Sequence, residues 1–371
     1  MVALVMVRAI REYFHKTDYK MNYTTVEMNA SESESYRFIL PLVETHMPMA
    51  IIYTFILATM ILLGITGNAT ILFLALRDEH FQQVGLIFIV NMAVADLCVV
   101  MFADPMCIVG VFGGQKWFSD RPFLCQLVAS FCLTVCFCSL LGLSVLTLNR
   151  YVYVCHKDNY NKIFSRTKSR VICIATWILA FVLEMPNFCY DGGHTFDKKN
   201  HQCIWNRSGN FTYTLLVSAI FICGPFILIG FCLLSIFAKI VASKSIINKQ
   251  CNTGNCRMRQ ALRDSISTAR TLVGIFVIFI ICWTPYAIVI VIDFKDLLSQ
   301  EVHLFVTLLA HAHSSANFFV YILCSRSFRT KVRSLFSTDN SVSPDIVDDG
   351  ERQSVVPKMY HTPGTVNHTS S

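Results

Sequence analysis

The chain has 371 residues, of which 54% are hydrophobic and only 15% are charged. A soluble domain carries nearer a quarter charged residues, so the composition excludes an ordinary soluble enzyme or scaffold and indicates a polytopic membrane protein. The net charge of +7 would suit nucleic acid, but the basic residues gather in loops between apolar runs, which points to one face of a membrane and no nucleic-acid partner.

Taken from the start, residues 1–47 read as a polar tail. The apolar opening Met1–Ile10 contains Arg8, is followed by Arg11 and lacks a small-residue cleavage site, so a tail is expected there rather than a signal peptide. Apolar spans follow at about 48–76, 84–108, 124–152, 171–189, 212–241, 270–293 and 302–324, each long enough for a helix to cross a bilayer. The expected fold is therefore an all-α membrane protein, a seven-transmembrane helix bundle over residues 48–324. Phe328, Val332, Leu335 and Phe336 alternate with basic residues, which predicts a short amphipathic eighth helix over 325–336, lying on the lipid bilayer surface. The tail 337–371, rich in Ser, Thr, Asp and Pro, is expected to be disordered.

Charge sets the expected orientation. Lys157, Lys162, Arg166, Lys168 and Arg170 follow the third span; Lys244, Lys249, Arg257, Arg259 and Arg263 precede the sixth. Arg326, Arg329, Lys331 and Arg333 follow the seventh. The loops on the other side are close to neutral, so these basic loops belong inside and the N-terminus outside, as in a multi-pass plasma-membrane protein. Four glycosylation acceptors fall on the outer side by this reading: Asn22, Asn29, Asn206 and Asn210.

The third span carries a distinctive face. Cys125 and Arg150 are 25 positions apart, a helical rise of roughly 38 Å against a ~30 Å hydrocarbon core. Steps of three and four from Cys125 pass through Cys132, Cys136 and Ser139 to Arg150, giving an uncharged upper part and a charged inner tip. Ionisable groups in mid-membrane are costly and need a reason. Asp96, with Asn68, Ser139, His313, Ser314 and Asn317 at similar depth, predicts one polar cluster able to hold an allosteric sodium ion; the other reading is a hydrogen-bond network with Asp96 protonated. No other cofactor is expected. Pro186, Pro225 and Pro285 interrupt spans, and Trp283 stands two residues before Pro285, where a rotating switch is one reading and core filling another.

In this order, Gly67-Asn68, Ala93-Val94-Ala95-Asp96, Cys125, Asn149-Arg150-Tyr151, Trp177, Pro225, Cys282-Trp283-Thr284-Pro285 and Asn317 to Tyr321 resemble the rhodopsin-like (class A) G-protein-coupled receptors over residues 48–336. Asn149 to His156, Tyr160 to Ser165 and Pro186-Asn187 resemble the melatonin receptors and their invertebrate relatives more closely. The resemblance implies a Cys125–Cys203 disulfide, with Cys189 as the rival partner. It also implies an extracellular ligand and a heterotrimeric G protein of the inhibitory class as partners, with receptor kinases and arrestin as readers of the tail. Coupling and switching would fall to Asn149, Arg150, Tyr151, Trp283, Pro285, Asn317 and Tyr321. Several positions depart from the melatonin receptors: Phe221 replaces a histidine, Leu233 a tyrosine, Phe318 a proline, and Tyr286-Ala287 a leucine and an asparagine.

Receptors for amine transmitters place an aspartate where this chain has Cys132, and Leu133 and Cys136 beside it are also uncharged. Burying an ammonium without a counter-charge is unfavourable, so the expected ligand is neutral and lipophilic. It would meet Cys132, Leu133, Cys136, Phe188, Phe221, Trp283, Tyr286 and Ile288, with Asn187 and His311 as hydrogen-bonding groups. A peptide ligand on the polar stretch His194–His201 is the alternative, and a seven-helix transporter the alternative of another class. An enzyme finds no nucleophile elbow, phosphate loop or zinc-binding helix pair. A retinal protein would need a Schiff-base lysine where His311 stands.

Overall fold

A computed structural model describes residues 40–77, 84–189, 193–207, 209, 211–249, 256–293 and 295–336. Asn22, Asn29, Asn210 and the tail beyond Phe336 lie outside these residues. Six helices are long and apolar enough to cross a membrane: α1 (Met47–Arg77), α2 (Gly85–Ser119), α3 (Pro122–Cys155), α4 (Arg166–Cys189), α5 (Phe211–Lys244) and α6 (Ser265–Ile292). A bent pair, Gln300–His311 and His313–Cys324, supplies the seventh crossing, α7. A further helix, α8 (Arg326–Phe336), follows. All seven crossings lie in the unit Met1–Lys331; of the unit Val332–Ser371, residues 332–336 end α8.

The expected spans therefore hold, and the helices outrun them. α2 continues to Ser119 rather than stopping near residue 108, with a kink at Gly114, whose φ of 63° is non-helical, and the α6 helix begins at Cys256. Breaks occur where the backbone chemistry demands them. Pro105 and Pro225 lack an N–H for the preceding turn. Ahead of them the helices open into wider turns with bonds spanning five residues, at Val99–Ala103 and at Val217–Cys223. α4 is interrupted at Met185, just before Pro186. In α7, where Phe318 stands in place of a proline, the 46° bend falls at Ala312 instead.

α3 is the hub, and most of its inner length is buried, from Cys125 through Ser139 and Leu143 to Asn149. The interhelical core is built from Phe88, Met92, Leu140, Leu143, Ile229, Phe279 and their neighbours. Helices of this kind gain stability from packed side chains and cross-helix hydrogen bonds rather than from hydrophobic burial against water. One such bond runs from the Trp177 indole N–H to Asn91 Oδ1 at 3.0 Å, fixing α4 against α2.

At the Cys125 end of α3 lies a hairpin of β1 (His194–Asp197) and β2 (Gln202–Trp205), antiparallel with Phe196 opposite Cys203. The disulfide Cys125–Cys203 joins it to α3, with the Cα atoms 5.3 Å apart; Cys189 is a free, exposed thiol. The hairpin turn rests directly on α2, since any Cβ on Gly110 would meet the His201 carbonyl oxygen. At the opposite end, the short helix Lys157–Ile163 is pinned by Phe164, whose ring meets Phe88 edge-on at 6.0 Å.

Candidate functional site

Beneath the hairpin is a cavity lined by Ala129, Cys132, Leu133 and Cys136 of α3, Trp283 and Tyr286 of α6, Thr307, Ala310 and His311 of α7, and Gln202, Ile204 and Trp205 of β2. Counted out to the solvent at its mouth, it holds about 400 Å³ of non-atom space. Its walls are mostly apolar and aromatic with a few polar points, as small-molecule sites usually are. Trp205, Tyr286 and Trp283 meet edge to face in succession, at 6.2 and 6.1 Å between ring centroids. The disulfide presses β2 onto the mouth, so three loop residues form one wall.

Of the residues expected to meet a ligand, Cys132, Leu133, Cys136, Trp283, Tyr286 and His311 line this cavity. Asn187 does not: its amide nitrogen donates to the Glu184 carboxylate at 2.8 Å, in a buried group that includes His194 and Ser130. Phe188 and Ile288 face outward, 42% and 51% exposed, as helix periodicity turns them away from the bundle. The side chain of Phe221 lies outside the described part of the structure.

One residue at the cavity was not anticipated. Asp104 of α2 is fully buried, and its Oδ1 is 2.6 Å from His311 Nδ1. A regular helix would turn Asp104 about 80° away from Asp96, eight residues earlier. The widened turn Val99–Ala103 absorbs one extra residue, which brings Asp104 to within about 20° of Asp96's direction. The signal in the sequence was the Asp104-Pro105 pair, since the proline opens the turn before it.

Below Trp283 the polar cluster is assembled. Asp96 accepts from Ser139 Oγ at 2.7 Å and from Asn317 Nδ2 at 2.6 Å. Asn68 Nδ2 donates to the backbone oxygens of Gly64 and Ser314, at 3.0 and 2.8 Å. His313 stands 3.9 Å from Asp96 and bonds Ser314 at 3.1 Å. Asn68 Oδ1 and Asn317 Oδ1 are buried oxygens with no hydrogen-bond partner among the described residues. The unpartnered Asn317 oxygen, the Asp96 carboxylate that Asn317 bonds and the Ser139 hydroxyl are the kind of oxygen donors that suit a hard cation such as sodium. The Trp283 ring lies 5.5 Å from that of His313, so the cavity floor touches the cluster through one histidine.

At the far end, Asn149 Nδ2 donates to the Tyr160 hydroxyl at 3.2 Å and Tyr151 OH pairs with His156 at 2.9 Å. The Arg150 guanidinium lies over Gly85 of α2, where a Cβ would collide with it. Arg150 Nε and the Tyr321 hydroxyl are buried without hydrogen-bond partners among the described residues. Because Asn149 carries no charge, the arginine is not neutralised by its neighbour.

A second set of charges ties the hairpin to the α6–α7 loop. Asp197 accepts from Arg207 Nε at 2.7 Å and from two backbone N–H groups, and Arg207 also pairs with Asp296. Lys199 Nζ donates to the Asp296 and Leu298 carbonyl oxygens at 2.5 Å each. Asp293 joins His303 at 2.7 Å. Burial would push the Asp197 carboxyl up, but the Arg207 guanidinium more than offsets this and holds it below the usual range. Asn206, the described glycosylation acceptor, is half-buried and accepts from Gly209 N–H at 2.8 Å.

Residues 67–321 match the family of 7 transmembrane receptors (rhodopsin family). The chain is 26% identical over 231 residues to melatonin receptor type 1C of Gallus gallus, covering 62% of this chain and 64% of that protein. It is 27% identical over 275 residues to melatonin receptor type 1B of Homo sapiens, covering 72% and 74%. With melatonin receptor type 1A of Ovis aries it shares 26% identity over 319 residues, covering 84% and 85%. Squid rhodopsin superposes with a TM-score of 0.66 at 17% identity, over 78% of this chain and 85% of that one, which bears on the fold alone. With a bundle of this form, a disulfide-held hairpin over a cavity and the Asn149-Arg150-Tyr151 tip in place, the chain belongs to the rhodopsin family of seven-transmembrane receptors.

Proposed function

We propose that this receptor sits in the plasma membrane with its N-terminus outside. It binds a small, neutral, lipophilic extracellular molecule in the cavity under the hairpin and passes the signal to a heterotrimeric G protein of the inhibitory class at the Arg150 end. The observation that carries this reading is the cavity itself: six of the residues expected to meet a ligand line it, and its α3 wall is uncharged at Cys132, Leu133 and Cys136. Asp104 is not among the lining residues, and its Oδ1 is hydrogen-bonded to His311 at 2.6 Å. The relatives' names make indoleamides the first ligands to try, with lipid-derived amides second. The stretch His194–His201 offers little to a peptide, since Phe196, Asp197, Lys199, Asn200 and His201 are buried.

Contact between Trp283 and His313 supports a route from cavity to the Asp96 cluster, where bound sodium would favour one arrangement of α3 against α7. Arg150, Tyr151 and Tyr321 would then face the G protein. Receptor kinases and arrestin, acting on the tail, belong to the same proposal.

The test is a panel of monoamines, neutral indoleamides, lipid amides and peptides on cells expressing the chain, read by G-protein dissociation. Activation by a neutral member is expected. Potent activation by a simple monoamine or a peptide alone would overturn the ligand class, and solute uptake without G-protein response would overturn the receptor reading.

A further inference from the structure

The cavity has two buried polar groups whose hydrogen-bonding capacity is not used. Among the described residues the Trp283 indole N–H has no hydrogen-bond partner, although the residue is 6% exposed and lines the cavity. His311 Nε2, also on the cavity wall, has only the sulfur of Cys132 at 3.9 Å, and a thiol sulfur is a weak acceptor. The other ring nitrogen of His311 is fixed by Asp104 at 2.6 Å.

The Asp104 bond determines what Nε2 offers. Among the described residues, His311 is the one ion-pair partner of Asp104, so a net charge on the pair would be buried without a counter-ion and strongly disfavoured. Two net-neutral arrangements hold the proton between Oδ1 and Nδ1. In one, the carboxylate accepts from Nδ1–H of an imidazolium. In the other, the carboxylic acid donates to Nδ1 of a neutral imidazole. Nε2 carries a hydrogen in both. Nε2 would be an acceptor only beside a carboxylate with a neutral Nδ1–H imidazole, which has net charge −1, or beside an acid protonated on Oδ2, whose buried hydroxyl would have no partner among the described residues; both are disfavoured. Wherever the shared proton sits, the wall presents N–H to the cavity.

We propose that His311, positioned by Asp104, and Trp283 form a pair of hydrogen-bond donors that selects a neutral ligand bearing carbonyl or ether oxygens. This rests on the cavity being the ligand site, and it narrows that reading from neutral lipophilic molecules to acceptor-bearing ones. On binding, a ligand oxygen replaces the Cys132 sulfur as the partner of Nε2–H. A ligand that offers only donors leaves both N–H groups unpaired, and a site built around hydrogen bonds discriminates strongly on that basis. Asp104 is a positioning residue here, acting through the imidazole.

Two measurements test this. The first uses matched neutral probes on cells expressing the chain: melatonin, and its counterpart in which the amide –NH–C(=O)– is replaced by –CH2–CH2–, which removes the acceptor without adding a charge. The amide should be more potent by about tenfold or more, and His311→Phe should cut its potency by about tenfold and bring the two probes level, with potencies compared at matched surface expression. Equal potency on the unmodified chain, or an amide preference that survives His311→Phe, would overturn the proposal. The second needs no ligand: ¹⁵N spectra of the histidine-labelled receptor, with the His311 signal assigned by its absence in His311→Phe. A protonated Nε2 is expected, and a bare, pyridine-type Nε2 would overturn the donor pair. If neither probe acts on the chain, the wider ligand reading fails, and the spectrum still decides the state of His311.

Discussion

At the scale of single residues, the membrane-embedded polar groups explain themselves by what they touch. Asp96 has a hydroxyl and an amide on its two oxygens, and the oxygen of that amide has no hydrogen-bond partner among the described residues. Asp96→Asn keeps the shape and removes the charge, so any sodium dependence of agonist affinity should vanish, as a radioligand competition in sodium against choline chloride would show; unchanged sensitivity would leave the cluster as a plain hydrogen-bond network. Arg150→Ala should reduce G-protein activation at least tenfold while moving ligand affinity by less than about threefold, because its guanidinium packs on Gly85 at the end remote from the cavity. Equal losses in both would place its role in holding the fold. Helical spacing places Cys132 and Cys136 on one face of α3, and with Trp283, Tyr286 and His311 from α6 and α7 they line the cavity. Asp104 was hidden because a widened turn changed the phase of α2, and Asn187 was misassigned because Glu184, three residues before it, captures its amide. Neither effect follows from residue spacing in a regular helix.

At the scale of elements, the hairpin is held at two points, and both can be tested. The disulfide closes a sequence separation of 78 residues, a loop for which the chain-entropy model gives about 4 kcal/mol. Cys203→Ala should therefore sharply lower surface expression, whereas Cys189→Ala should not. The ionic tie is the second point. Arg207→Ala leaves Asp197 buried without its partner, a change that typically costs about 3–5 kcal/mol, so the variant should show a lower melting temperature in purified form, with Asp197→Asn/Arg207→Ala less affected than Arg207→Ala alone. His201, in the hairpin turn, gives a pH signature. Burial holds its imidazole down at about 4 from an ordinary 6.5. The folded state then binds fewer protons than the unfolded state between those values, so stability rises with pH across that window and is lost on acidification from 6.5 to 4. His201→Gln should flatten that part of the melting profile. None of these ties was readable in advance beyond the cysteine pair implied by family likeness, because Arg207 reaches Asp296 across two loops distant in sequence.

At the scale of the whole molecule, the bundle was largely legible. Seven apolar runs of crossing length became seven crossings, since a helix that must satisfy its own backbone in lipid leaves a plain sequence record. What length and hydropathy could not show was where the spans bend: at Ala312 in α7 without a proline, and in the widened turns before Pro105 and Pro225. The bend in α7 and the widened turn of α2 set where His311 and its partner Asp104 meet, so the least legible backbone is also part of what shapes the site. The central claim is that a neutral molecule held in this cavity controls a G protein at the other end of the bundle. It is tested most directly by ligand-stimulated nucleotide exchange on an inhibitory G-protein heterotrimer, with the receptor in nanodiscs and an active neutral probe from the panel. The comparison is the intact chain against Cys132→Phe, which fills the cavity from α3. Exchange stimulated by the probe should fall at least tenfold in Cys132→Phe while basal exchange is kept. Probe-stimulated exchange that is undiminished with the cavity filled would contradict the account.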